Sequence, residues 1–165
     1  VEENHPVKLR ILDPQTDYDL FHEAYHWRTV KRRSQPDRAP FETFIANDPR
    51  QTVIGLFNDD LLAVFLFYEY EPLRFEGHFT SRRSVSREIL VEGGKLVVNT
   101  FLQSGAKDIC AWITIRNTAL RRYVEELGFQ PKETKEFPLH LVNNERTLPT
   151  ESKLFVKYAI SEIPP

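Results

Sequence analysis

Val7 to Leu12 alternates apolar and basic residues, the two-residue period of a half-buried strand. Asp13-Pro14 follows, an N-cap residue with proline at the first helical position. The spacing then predicts a helix to about Val30 that buries Leu20, Phe21, Ala24 and Trp27. Arg33 to Pro40 reads as a polar loop, and Pro40 can open a short second helix through Phe41, Phe44 and Ile45. Thr52 to Phe57 and Leu61 to Tyr70 flank Asn58-Asp59-Asp60 and read as a β-hairpin. Leu61 to Phe67 is apolar throughout, as in a central strand covered on both faces. Arg74 to Thr80 places Phe75, Gly77 and Phe79 on one side and Glu76, His78 and Thr80 on the other, which predicts a fourth strand with a polar face.

Ser84 to Ser104 admits two readings. Leu90, Gly94, Val97 and Phe101 form a helical stripe, opposite Glu88, Lys95 and Asn99. Gly93-Gly94 argues for a hairpin instead, with strands Arg87 to Val91 and Lys95 to Leu102, because glycine costs about 1 kcal/mol inside a helix. The helix is the reading adopted, with the glycines marking close approach to the sheet. Ile109 to Ile115 is rich in β-branched and aromatic residues and predicts a buried strand. Asn117 or Thr118 can cap the next helix and Gly128 can end it in a left-handed conformation. Ala119, Leu120, Tyr123, Val124 and Leu127 share its apolar arc, and Arg121, Arg122, Glu125 and Glu126 form two i,i+4 pairs on the other. Phe137 to Val142 and Leu154 to Ile160 read as two further strands, with Pro138 pointing to a sheet edge.

Asn117, the small Ala119 and the closing Leu127-Gly128-Phe129 resemble the C-terminal motif of the GNAT superfamily of acyl-CoA-dependent N-acyltransferases. The order β-α-α-β-β-β-α-β-α-β-β matches that family's too, so the resemblance covers most of the chain as a single domain, residues 1–165. It implies an α/β (α+β) fold: a mixed, mostly antiparallel central sheet of six to seven strands, helices on both faces, and splayed central strands. It also requires a helix where Gly93-Gly94 stand.

Composition changes this picture little. The chain has 165 residues, 41% of them hydrophobic, enough for one globular domain with a real core. A formal net charge of −2, with basic residues scattered, gives no sign of nucleic-acid binding. The single Cys110 excludes an internal disulfide and fits a reducing cytoplasm. The longest apolar run, Leu61 to Tyr68, is far shorter than the ~20 residues of a membrane-spanning helix, and no signal-peptide pattern opens the chain. The expectation is therefore a cytoplasmic protein without membrane or nucleic-acid partners, in which a homodimer is allowed.

The resemblance assigns roles to particular residues. In the family, a loop read as Arg/Gln-x-x-Gly-x-Gly/Ala holds the coenzyme A pyrophosphate. Here that region is Arg82-Arg83-Ser84-Val85-Ser86-Arg87, without glycine, so helix amides, serines and arginines would grip the anion. Phe79 and Asn117 would contact the cofactor arm. Acetyl-CoA is then the expected cosubstrate, a small-molecule or protein amine the acceptor, and no metal is expected. Glu76 or His78 would deprotonate the amine, with Glu69 and Glu71 as second choices. The family's tyrosine acid falls at Val124, and Tyr123 reads as a core aromatic. These departures support an alternative, a GNAT-fold module without catalysis that binds or assembles, of the kind phage genomes encode. A third reading comes from His22-Glu23-Ala24-Tyr25-His26, which matches the H-E-x-x-H pattern of zinc peptidases but places its histidines on the polar arc. Cys110 reads as a buried small residue, with an acyl-cysteine role as the remote alternative.

Overall fold

The computed structural model describes residues 6–29, 49–115, 117–137 and 150–159. Among them lie β1 (Lys8–Ile11), α1 (Tyr18–Thr29), β2 (Gln51–Phe57), β3 (Leu61–Glu71), β4 (Arg74–Ser81), α2 (Arg87–Gln103), β5 (Asp108–Thr114), α3 (Thr118–Glu126), β6 (Gln130–Phe137) and β7 (Thr150–Tyr158). The strands form one sheet in the order β1-β2-β3-β4-β5-β7-β6. All neighbours are antiparallel except β4 and β5, which are parallel because α2 carries the chain back between them. The short helix expected around Phe41 falls outside the described residues.

Both faces of the sheet are covered. Ala63, Phe65 and Phe67 of β3 join Val97, Val98 and Phe101 of α2 and Tyr123, Val124 and Leu127 of α3 in the main core. Val64 turns to the opposite face, where Phe21 and Ala24 of α1 meet Leu12, Val53 and Leu61. This two-sided burial explains the unbroken apolar run in β3.

The helix over Gly93-Gly94 forms without interruption, capped by Ser86, whose Oγ accepts from the Ile89 N–H at 3.3 Å. Gly93 lies against Leu56 of the sheet as expected, whereas Gly94 lies against Tyr123 and Leu127 of α3. α3 is capped by Asn117 and ends with Gly128 at φ +95°, with Phe129 N–H bonded to Val124 O and Gly128 N–H to Glu125 O. That is the Schellman pattern, which satisfies the last carbonyls of the helix.

Four sequence expectations need correction. α1 starts at Tyr18, not after Asp13, because Asp13 Oδ1 accepts from the Gln15 and Thr16 N–H groups and makes a separate turn. β6 occupies Gln130–Phe137, a strand not expected from the sequence, while the strand expected over Phe137 to Val142 lies, but for its first residue, outside the described residues. Its charged sequence QPKETKEF suits an edge strand with a bulge at Pro131/Glu133, where burial imposes no apolar alternation. Ala119, placed on the apolar arc, is exposed. Glu126 pairs with Arg87 of α2 at 2.8 Å rather than with Arg122 of its own helix.

The β3–β4 turn holds Leu73 at φ +62°, the only non-glycine residue with positive φ among those described. Pro72 precedes it, so a two-residue turn places leucine where a type II turn favours glycine. Leu73 is exposed, so truncation loses little burial. Leu73→Gly is expected to raise stability by roughly 0.5–1 kcal/mol, the relieved strain outweighing the added unfolded-state entropy. A shift of the urea midpoint to higher concentration at constant slope would show it; a lower midpoint would refute it.

Candidate active site

β4 and β5 are paired only through Arg74↔Asp108, Phe75↔Ile109 and Glu76↔Cys110. Their other ends are pinned: Arg74 Nη1 donates to Asp108 Oδ2 at 2.8 Å, and Lys107 N–H donates to Leu73 O at 2.7 Å. Beyond Glu76 and Cys110 the strands part. β4 stays bonded to β3 as far as Ser81 and β5 to β7 as far as Thr114, so each leaves one unpaired edge facing the gap. On the helix side the gap opens into a slot of about 150 Å³, lined by Phe79, Ile109, Ala111, Ile113, Val124 and Leu127 among others.

Glu76 and His78 lie next to the point of divergence, with His78 Nε2 3.3 Å from Glu76 Oε1. The hydrogen bond from His78 holds the Glu76 carboxyl below its ordinary value, against the opposing effect of partial burial. Glu69 and Glu71 lie at the opposite, hairpin end of β3. Glu69 accepts from Leu73 N–H at 3.3 Å, and Glu71 stands 3.7 Å from Arg74. Phe79 packs on Phe65 and stacks on Tyr123 at a centroid distance of 4.9 Å. Tyr123 O–H donates to Leu90 O at 2.8 Å, and burial pushes its hydroxyl pKa far up. This tyrosine is a packing and bridging residue between α3 and α2. Cys110 is buried, and burial raises its thiol to about 11, so it stays protonated at neutral pH.

The loop after β4 divides its arginines. Arg82, expected from the sequence to hold phosphate, is ion-paired with Glu23 of α1, reaches Asp60 at 3.9 Å and lies over the Trp27 ring at 5.7 Å. Its guanidinium clamps α1 to the end of β4. Arg83 and Ser84 are exposed in the turn, Val85 is partly covered, and Arg87 reaches Glu126. In the first turn of α2 the Ile89 N–H is taken by Ser86 Oγ and the Leu90 N–H by Ser86 O, which leaves the Arg87 and Glu88 amides without an intrahelical acceptor. Asn117 Oδ1 is occupied in capping, accepting from Leu120 N–H at 3.2 Å. The slot, its unpaired strand edges and the amide-bearing start of α2 fit an elongated amide-containing arm with an anionic end, despite the absent glycines. Glu23 is engaged by Arg82, and among the described residues no group of three or more His, Cys, Asp or Glu is placed to hold a metal ion. The side chain of His26 lies outside the described residues.

No protein-family model and no curated protein sequence matches the chain. Solved structures do. A ribosomal-protein-S5-alanine acetyltransferase from Vibrio fischeri superposes with a TM-score of 0.74 at 11% identity, covering 99% of this chain and 98% of that one. An N-acetyltransferase from Staphylococcus aureus Mu50 gives 0.73 at 12%, covering 94% and 99%. A spermidine N-acetyltransferase from Vibrio cholerae, in complex with CoA and spermine, gives 0.72 at 12%, covering 94% and 97%. The chain has the GNAT fold. Within the GNAT fold, parted central strands are the feature that the sequence resemblance led one to expect, and here they part directly after Glu76 and Cys110. Among the described residues no helix is long and apolar enough to cross a membrane.

Proposed function

We propose that this protein is an N-acetyltransferase that moves an acetyl group from acetyl-CoA to a primary amine. The observation that carries the reading is the gap between β4 and β5 with the Glu76–His78 pair at its apex. The acetyl-CoA arm lies in the slot, and Arg83, Ser84, Ser86, Arg87 and the first amides of α2 face its pyrophosphate. Phe79 and Val85 flank the arm, and Asn117 meets it through its Nδ2. Glu76, ionised at neutral pH, first takes a proton from the bound ammonium; the freed lone pair attacks the thioester carbon, and the nitrogen then gives its second surplus proton to solvent. The new C–N bond forms, the C–S bond breaks, and the thiolate takes a proton from solvent, because Val124 supplies none and the Tyr123 hydroxyl is engaged. The products are an N-acetyl amine and coenzyme A.

The competing reading is a GNAT-fold module that binds or assembles without catalysis; Val124 and the engaged Tyr123 hydroxyl favour it. Calorimetry with acetyl-CoA separates the two. Micromolar affinity is the expected result, and no heat at millimolar ligand would leave only the module. Arg83→Ala should weaken acetyl-CoA about tenfold, the loss of one charge-assisted contact, and Arg87→Ala by less, because Glu126 at 2.8 Å already shares the Arg87 guanidinium. Unchanged affinity in both variants would remove the loop from the binding site.

A further inference from the structure

The face of the sheet opposite α2 and α3 holds a second and larger cavity, of about 440 Å³. That volume is within the range of small-molecule sites. Tyr70, Trp112 and Tyr158 contribute rings to its wall, and Leu154 and Val156 of β7 contribute aliphatic surface. The cavity adjoins the slot: Trp112 lines both, and Glu76 of the larger one is paired with His78 of the smaller.

The charges along this wall are distributed unevenly. Asp108, 2% exposed, is matched by Arg74 at 2.8 Å, with the Tyr70 hydroxyl at 3.5 Å. Lys132 Nζ sits 4.8 Å from the centre of the Tyr158 ring. The remaining carboxylate of this wall is Glu76, whose partner is His78 at 3.3 Å. One ammonium is therefore accommodated by Glu76, with the Trp112 ring on the same wall. A second ammonium deeper in the cavity would meet Arg74 and Lys132 in place of a free carboxylate, which disfavours polyamines. The remaining wall suits a flat apolar body.

We propose that this cavity seats the ring of a primary arylalkyl monoamine and presents its nitrogen to Glu76 at the apex of the gap. Presentation for acetylation rests on the transferase reading above; the seat itself does not. The test begins with calorimetry of tryptamine, 2-phenylethylamine and spermidine against the full chain without acetyl-CoA, followed by acetylation of each amine with acetyl-CoA. The arylalkylamines should bind about tenfold tighter than spermidine and show the same order in kcat/KM. Leu154→Trp fills the cavity from β7 and should abolish both signals while acetyl-CoA still binds. If that variant fails to fold, Tyr158→Ala should weaken tryptamine at least about fivefold. Spermidine binding as well as tryptamine, or a folded Leu154→Trp that binds tryptamine normally, overturns the proposal. Tryptamine seated in a protein that gives no heat with acetyl-CoA would uphold the seat and overturn the transfer.

Discussion

Glu76→Gln is expected to lower kcat/KM for amine acetylation by about a hundredfold or more, with acetyl-CoA affinity unchanged. The substitution keeps the shape of the side chain and removes its negative charge and with it the ability to accept a proton. The hydrogen bond from His78 sets the pH dependence. It holds the Glu76 carboxyl below its ordinary value of 4.5, so the carboxylate persists as pH falls until the lowered value is passed. The acid limb that Glu76 contributes to kcat/KM therefore lies below pH 4.5. His78→Leu removes that lowering influence and should move the limb upward, because desolvation, the remaining effect, raises the value. If His78 were the base instead, its variant would carry the large loss and Glu76→Gln would stay within a few-fold of wild type. That pattern would reverse the assignment.

Local chemistry made much of this fold legible. The cap at Asn117 and the left-handed Gly128 are decided within a few residues, and both stand as read. The apolar run of β3 reports its own two-sided burial. Where an outcome depended on a distant partner, the reading failed. β6 is charged because only one of its edges is paired, so its sequence carries no apolar alternation. Arg82 stands in the loop that the resemblance assigns to phosphate, yet Glu23, far away in sequence, claims its guanidinium. The ring-walled cavity went unread for the same reason. Asp108, Cys110 and Trp112 alternate with Ile109, Ala111 and Ile113, which marks them as one face of β5. Only the pairing with β7 in the register Cys110↔Val156 and Trp112↔Leu154 brings Tyr158 and Leu154 beside them. That register is long-range information that periodicity does not carry.

The second large effect concerns Gly93, where helix propensity and packing give opposite predictions. Propensity alone says that Gly93→Ala stabilises α2 by about 1 kcal/mol. A Cβ built there, however, would lie 2.3 Å from Leu56 Cδ2 and 2.9 Å from Cδ1. Leu56 is fully buried in the main core, with Ile54, Phe65 and Val97 in the same cluster, so it has little room to turn aside. Overpacking of this kind costs about 1–3 kcal/mol and occasionally more. Packing is expected to win, with Gly93→Ala less stable than wild type by about 1–2 kcal/mol and its Tm lower by several degrees. The cause is separable from a generic helix effect by a double-mutant cycle with Leu56→Ala, which removes both clashing methyl groups. Leu56→Ala alone should cost about 2–5 kcal/mol, and the double variant should be more stable than the sum of the two losses by 1 kcal/mol or more, a coupling of about that size. A Gly93→Ala variant as stable as wild type, or a cycle that closes with no coupling, would mean that α2 can lift from β2. The approach of helix to sheet would then be looser than this contact requires.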